Sequence, residues 1–134
     1  MTDRSYLPES DGTDYEAVMG FDKVEWREGF VRMRVALRPV HRNRQGIVHG
    51  GLIAALLDSV GMFAGTYDPE NPGGKRAVTV ATACQFIGAC QGEYLEAEGV
   101  LTRAGRSMYF ADAKVMDPAT GAVLASGQGT YKYR

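Results

Sequence analysis

The chain has 134 residues, enough for one domain with a substantial core, and 45% of them are apolar. Lys and Arg total 15 against 16 Asp and Glu, so no bulk field recruits nucleic acid or an anionic membrane. No apolar run reaches the roughly 18 residues of a membrane span, and the opening MTDRSYLPESDGTD has no secretory h-region.

Residues 1–13 are polar and turn-rich and are expected to form a flexible, frayed segment ahead of a single domain over 14–134. DYEAVMG predicts a short helix, with Asp14 as its cap and Gly20 as its stop. WREGFVRMRVALRP predicts a hairpin turning at Glu28-Gly29. Its second strand alternates, with Val31, Met33, Val35 and Leu37 on one face and Arg32, Arg34 and Arg38 on the other. Pro39 ends that strand, and PVHRNRQGIV leads irregularly into HGGLIAALLDSVGMFAG, residues 49–65, which reads as a buried helix.

YDPENPGGKR is a Pro/Gly-dense loop. AVTVATACQFIG, EYLEAEGVLTR and SMYFADAKVMD are strand candidates, the second with Glu96 and Glu98 on a solvated face. DPATG turns into a last strand, AVLASGQGTYKY. Cys84 and Cys90 have no CxxC spacing and no Cys/His cluster around them. They read as free thiols of a reducing cytoplasm, with neither disulfide nor metal implied. One long helix with five or six mostly antiparallel strands is an α+β domain.

The helix carries an anomaly. At 100° per residue, Leu52, Ile53, Leu56, Leu57, Val60 and Phe63 share the core side, while Asp58 sits among Gly51, Ala54, Ala55, Gly61, Met62 and Gly65. A solvated helix face normally carries Lys, Glu or Gln, and three glycines weaken a helix interior. The face therefore suits close approach by another backbone or a ligand, and Asp58 reads as a functional acid. At the helix start, Gly50 and Gly51 leave bare N–H groups at the positive end of the dipole, where a carbonyl gaining negative charge can be held.

Other chemistries fit less well. Gly74-Lys75 lacks the rest of a phosphate loop, there is no GxSxG, and His41 and His49 have no metal-ligand spacing. Arg103 and Arg106 read most simply as a solvated hairpin turn, with phosphate binding as the lesser reading. Met62, Phe63 and Phe86 fit an apolar pocket or the core equally well.

PVHRNRQGIVHGGLIAALLDSVG strongly resembles the hotdog-fold acyl-CoA thioesterases, in the phenylacetate-degradation (PaaI-type) and thioesterase-superfamily-member branch. The shared pattern is Asn43, Gly46, His49-Gly50-Gly51 and an acid nine residues after the histidine, Asp58. The resemblance extends through the strands to the last one. It implies a long helix wrapped by a curved antiparallel sheet, paired into homodimers and often homotetramers. It implies hydrolysis of an acyl-CoA to a free acid and CoA, with CoA as part of the substrate and no cofactor. Asp58 would be the nucleophile or general base, and the Gly50 N–H would polarise the thioester carbonyl. Asn43 and His49 would orient the site, and Thr79 would stand where some relatives place the serine that holds the attacking water. Gly51 and Met62 would line the substrate site, and Arg106 and Ser107 would contact CoA.

A non-catalytic acyl-CoA binding or sensing module on the same fold is the competing reading. It is the weaker one, because a sensor has no use for both Asp58 and the HGG donors. A hotdog dehydratase would carry its His and acid in a different motif. Geometry adds a final expectation. Nine residues are two and a half turns, so His49 and Asp58 leave opposite sides of one helix, roughly 13 Å apart along it. Unless the chain bends sharply at Gly50-Gly51, a site that uses both must then be built from two chains.

Overall fold

The computed structural model describes residues 5–134. In chain order the elements are α1 (Tyr15–Met19), β1 (Asp22–Arg27), β2 (Phe30–Ala36), a 3-10 turn (Pro39–His41), α2 (Gly50–Ala64), β3 (Ala77–Phe86), β4 (Tyr94–Ala104), β5 (Met108–Met116) and β6 (Val123–Tyr133). The strands form one antiparallel sheet in the order β1-β2-β4-β5-β6-β3. The expected α+β hotdog architecture is what the chain adopts: α2 lies along the inner face of the sheet. No helix of the described residues is long and apolar enough to cross a membrane.

The small elements follow their local signals. Asp14 caps α1 by accepting from the Ala17 N–H, and Gly20 closes it in the left-handed conformation at φ 76°. The hairpin between β1 and β2 turns at Glu28-Gly29, with Gly29 at φ 77°. The buried His41 ties the turn after β2 to α1. Its Nδ1 accepts from the Arg38 N–H at 2.8 Å, and its Nε2 lies 2.7 Å from the Met19 carbonyl, to which it donates.

Part of the segment expected to be flexible is paired with the rest of the domain. Residues 1–4 lie outside the described residues, but Ser5–Leu7 run alongside the loop before β3. The Leu7 N–H donates to the Gly74 carbonyl at 3.0 Å, and the Arg76 N–H donates to the Ser5 carbonyl at 2.8 Å. Gly73 makes room, since a Cβ there would lie 2.2 Å from the Leu7 carbonyl oxygen. Composition could not reveal a backbone pairing over that separation.

The core forms where the helix enters the sheet. Leu52, Ile53, Leu56, Leu57 and Val60 pack on Val31, Met33 and Val35 of β2, Leu95 and Ala97 of β4, and Val115 of β5. Each large side chain so buried contributes about 1.5–3 kcal/mol. Small residues set the depth of the helix: a Cβ on Gly99 would lie 2.0 Å from the Val60 carbonyl oxygen. Phe63, expected in the core, is only partly buried, and Ala64 closes the stripe in its place.

The two faces and the two edges of the sheet differ. The outer face of β1, β2, β4 and β5 carries an ion-pair ladder: Arg32 with Glu25 at 3.1 Å and Glu98 at 2.9 Å, Arg34 with Glu96 at 2.8 Å, and Lys114 with Glu98 at 3.6 Å. Such exposed pairs stabilise weakly, but they keep the face in water. The β1 edge is charged and interrupted by a register shift between Lys23 and Glu25. The β3 edge runs from Ala77 to Phe86 without a charge and exposes Val78, Val80 and Phe86. An uncharged open edge of that length is a template for another strand.

Candidate active site

At the entrance to α2, Asn43 shapes the approach. Its Oδ1 accepts from the N–H groups of Gln45 at 2.9 Å and Ile47 at 3.1 Å, and Gly46 turns at φ 79°. His49 is the helix N-cap, a position more often held by Ser, Asp or Asn. Its Nδ1 accepts from the Gly51 N–H at 2.8 Å, while its carbonyl accepts from Leu52 at 3.0 Å and Ile53 at 3.3 Å. One first-turn donor is left over. The N–H of Gly50, on an exposed residue, has no partner among the described residues.

Asp58 lies eight residues further along the same helix, roughly 12 Å from Gly50 by helical rise. It is half-buried, and its Oδ1 accepts from the Thr79 hydroxyl at 2.8 Å. Burial pushes its carboxyl above the ordinary value, and the Glu16 carboxylate of α1 pushes the same way, against the hydroxyls of Thr79 and Tyr131. A carboxylate kept short of water is a better proton acceptor than one on the surface.

Thr79 reaches Asp58 because β3 is irregular. Its register against β6 slips between Thr79 and Ala81. Thr79 and Cys84 are five residues apart, so a regular strand would turn them to opposite faces. The bulge puts both inside, Thr79 on Asp58 and Cys84 against the core. Further along the strand, Phe86 stands beside the helix start, its ring 3.8 Å from where a Gly50 Cβ would be. β3 thus passes Asp58 at one end and Gly50 at the other.

The remaining expected residues lie elsewhere. Arg106 and Ser107 are exposed at the β4–β5 hairpin, where the Ser107 carbonyl accepts from the Tyr133 N–H at 2.8 Å. Met62 packs on the small cluster of Ala64, Tyr109, Ala111 and Tyr131. The glycines beside Asp58 also have a nearer explanation than a ligand or a second backbone. A Cβ on Gly61 would lie 2.1 Å from the Tyr131 hydroxyl, and one on Gly65 would lie 2.2 Å from the Tyr109 ring. These two glycines make room for tyrosines of the same chain.

Tyr131 is the neighbour that sequence reasoning missed. It pairs directly with Thr79 across β6 and β3, is 1% exposed, and donates to the Asp58 carbonyl at 3.2 Å. A signal was present in GQGTY: glycine and tyrosine two apart on one strand face, the ring lying back over Gly129, where a Cβ would come within 2.2 Å of the hydroxyl.

A family model for the thioesterase superfamily matches residues 45–123. A Pseudomonas aeruginosa protein that bears the name of an esterase, PA0474, is 35% identical over 97 residues, 69% of this chain and 70% of that one. The structure of zebra fish thioesterase superfamily member 2 superposes with a TM-score of 0.78 at 24% identity, over 94% of this chain and 89% of that one. The BH2602 protein of Bacillus halodurans, crystallised with CoA, superposes at 0.75 and 25% identity, over 93% and 82%. The matched stretch runs through the loop, helix and strand that carry Gly50, Asp58 and Thr79, and with it this chain belongs to the thioesterase superfamily.

Proposed function

We propose that the chain is an acyl-CoA thioesterase, releasing a free acid and CoA, in which Asp58 is the reacting acid and the Gly50 N–H the oxyanion donor. The observation that carries this reading is a poorly solvated carboxylate on a helix whose first N–H has no partner among the described residues. Asp58 acts as nucleophile or as general base. In the general-base course, it takes a proton from water as the oxygen attacks the thioester carbon. The carbonyl oxygen then carries the negative charge, which the Gly50 N–H stabilises. Collapse breaks the C–S bond, and the proton passes from Asp58 to the departing thiolate. Removing one such donor typically raises the barrier by about 2.7–4 kcal/mol. A thioester is electrophilic enough for this chemistry, so the reading calls for no metal and no cofactor beyond the CoA of the substrate. The CoA-bound Bacillus halodurans relative supports that substrate class.

Two groups about 12 Å apart on one helix cannot serve one carbon, so the reading includes a dimer. The open edge of β3 supplies the interface. Antiparallel pairing of two β3 strands about their middle sets the Thr79 end of one against the Phe86 end of the other. Asp58 then faces the partner's Gly50. The same two-fold axis passes near Ala54, midway between Gly50 and Asp58, where small side chains let two helices approach. A C2 interface of this kind yields two equivalent sites. Asn43 acts by shaping the loop into the helix and His49 by holding its first turn, and Arg106, Ser107, Gly51 and Met62 are proposed contacts for CoA and the acyl group. Assembly of dimers into tetramers and a cytoplasmic location complete the proposal.

The test is release of free thiol from acetyl-, hexanoyl-, decanoyl- and phenylacetyl-CoA, with wild type and Asp58→Asn compared. The account predicts turnover of at least one thioester and its loss in the variant. Binding of acyl-CoA without turnover would instead support the non-catalytic module.

A further inference from the structure

Four side chains of the sheet donate to carbonyls of α2 and its C-cap, and three of them do what a helix end requires. Trp26 Nε1 bonds the Phe63 carbonyl at 2.8 Å, Tyr109 the Met62 carbonyl at 2.8 Å, and Tyr133 the Gly65 carbonyl at 2.7 Å. Those carbonyls belong to the last turn and the cap, where the regular ladder gives way to i+3 bonds from Gly65 to Met62 at 3.2 Å and from Thr66 to Phe63 at 3.3 Å. The fourth donor is Tyr131, and it does not serve the end. Its hydroxyl bonds the carbonyl of Asp58 at 3.2 Å, in the middle of the helix, where the regular ladder supplies a donor four residues on.

The chain makes room for that bond from two directions. Cβ atoms on Gly61 and Gly129 would lie 2.1 Å and 2.2 Å from the Tyr131 hydroxyl. A glycine inside a helix is unfavourable, and the one at 61 leaves the space this hydroxyl occupies. Tyr131 is also the cross-strand partner of Thr79, whose own hydroxyl bonds the Asp58 carboxylate. One pair of facing residues therefore grips Asp58 at both its backbone and its side chain.

We propose that Tyr131 is a positioning residue for Asp58: by holding the backbone carbonyl, it fixes the height and rotation of the helical turn that presents the carboxylate to Thr79 and to the substrate. The proposal rests on the reading of Asp58 as the reacting acid. Tyr131 acts through Asp58, whose carboxyl its hydroxyl also holds down against the effect of burial. Its loss should misplace the carboxylate, and a misplacement of about 1 Å is enough to cost on the order of 100-fold in rate.

The experiment compares Tyr131→Phe with Tyr109→Phe, Tyr133→Phe and Asp58→Asn in the full chain. Thiol release from the best of the four acyl-CoAs gives kcat and KM, and thermal unfolding gives Tm. Each Tyr→Phe change keeps its ring and removes one bond to a helix carbonyl. Tyr131→Phe should lower kcat by roughly tenfold to a hundredfold with KM changed less than about twofold. The two controls should lower Tm at least as much and leave kcat within about twofold. A kcat for Tyr131→Phe equal to wild type overturns the proposal, as does an equal loss of kcat in the controls. If Asp58→Asn is inactive while Tyr131→Phe is fully active, only the positioning role falls. Turnover retained by Asp58→Asn, or none of the four thioesters cleaved by wild type, overturns the reading of Asp58 and the positioning role together.

Discussion

The two ends of the α2 helix are finished differently. At the C-terminal end, where Gly65 at φ −105° forms no left-handed cap and the last turn has no basic residue, aromatic donors come from the sheet to meet the carbonyls. At the N-terminal end His49 covers one donor with its own ring, and the N–H of Gly50 has no partner among the described residues. Helix ends present the same deficit at both termini, four groups each. One end is closed by packing for stability. The other is left open, and on the proposed reading a ligand oxygen supplies the missing acceptor there.

The largest effect should come from Asp58, the acid proposed to work with the open end. Asp58→Asn should lower kcat about 10²–10⁴-fold, the range for a lost general base. The same variant should gain stability at neutral pH, measured by denaturant unfolding. Burial raises the Asp58 carboxyl above its ordinary 3.8, so ionisation weighs against folding once pH rises through the raised value. Below the ordinary value both states are protonated, and the gain should vanish. A variant that is dead and also less stable at pH 7 would make Asp58 a structural residue.

Next comes the open end itself. Gly50→Pro deletes the unpaired N–H at the first helical position, where proline is tolerated, and His49 already has the extended conformation (φ −62°, ψ 131°) that a following proline demands. Turnover should fall about 10²–10³-fold. Gly50→Ala keeps the N–H and brings a Cβ no closer than 3.8 Å to Phe86, so it should stay within about tenfold of wild type. Equal losses in the two variants would show that space, and not the donor, matters at Gly50.

The closed end should respond in stability alone. Tyr133→Phe strips the donor from the Gly65 carbonyl and should cost about 1 kcal/mol of unfolding free energy. Its kcat should stay near wild type, and a large loss would erase the contrast between the ends.

The sequence showed much of this plan. Periodicity located α2 to within a residue at either end, and the candidates for β2 to β6 match closely, whereas β1 begins at Asp22, four residues ahead of the predicted hairpin's Trp26. The oddity of Asp58 and of the glycines that open the helix was visible because both break local rules. What stayed hidden depends on long-range pairing. Alternation in AVTVATACQF does not disclose the bulge that turns Thr79 and Cys84 to one face. The glycines at 61 and 65 suggested an outside visitor, yet tyrosines 131 and 109, far along the chain, fill those spaces. Residues 5–7 looked free because their partners, 74–76, are about seventy positions away.

The central claim is that the open donor and the acid of one site belong to different chains. Its most direct test mixes two inactive variants, Asp58→Asn and Gly50→Pro, after dissociation and reassociation, with subunit exchange verified by mass. In a mixed dimer one site carries both lesions and the other carries neither. Random pairing makes half of the dimers mixed, so about a quarter of wild-type turnover should return. If exchange is complete and the mixture stays as inactive as its components, acid and donor do not meet across a dimer interface, and the account is wrong.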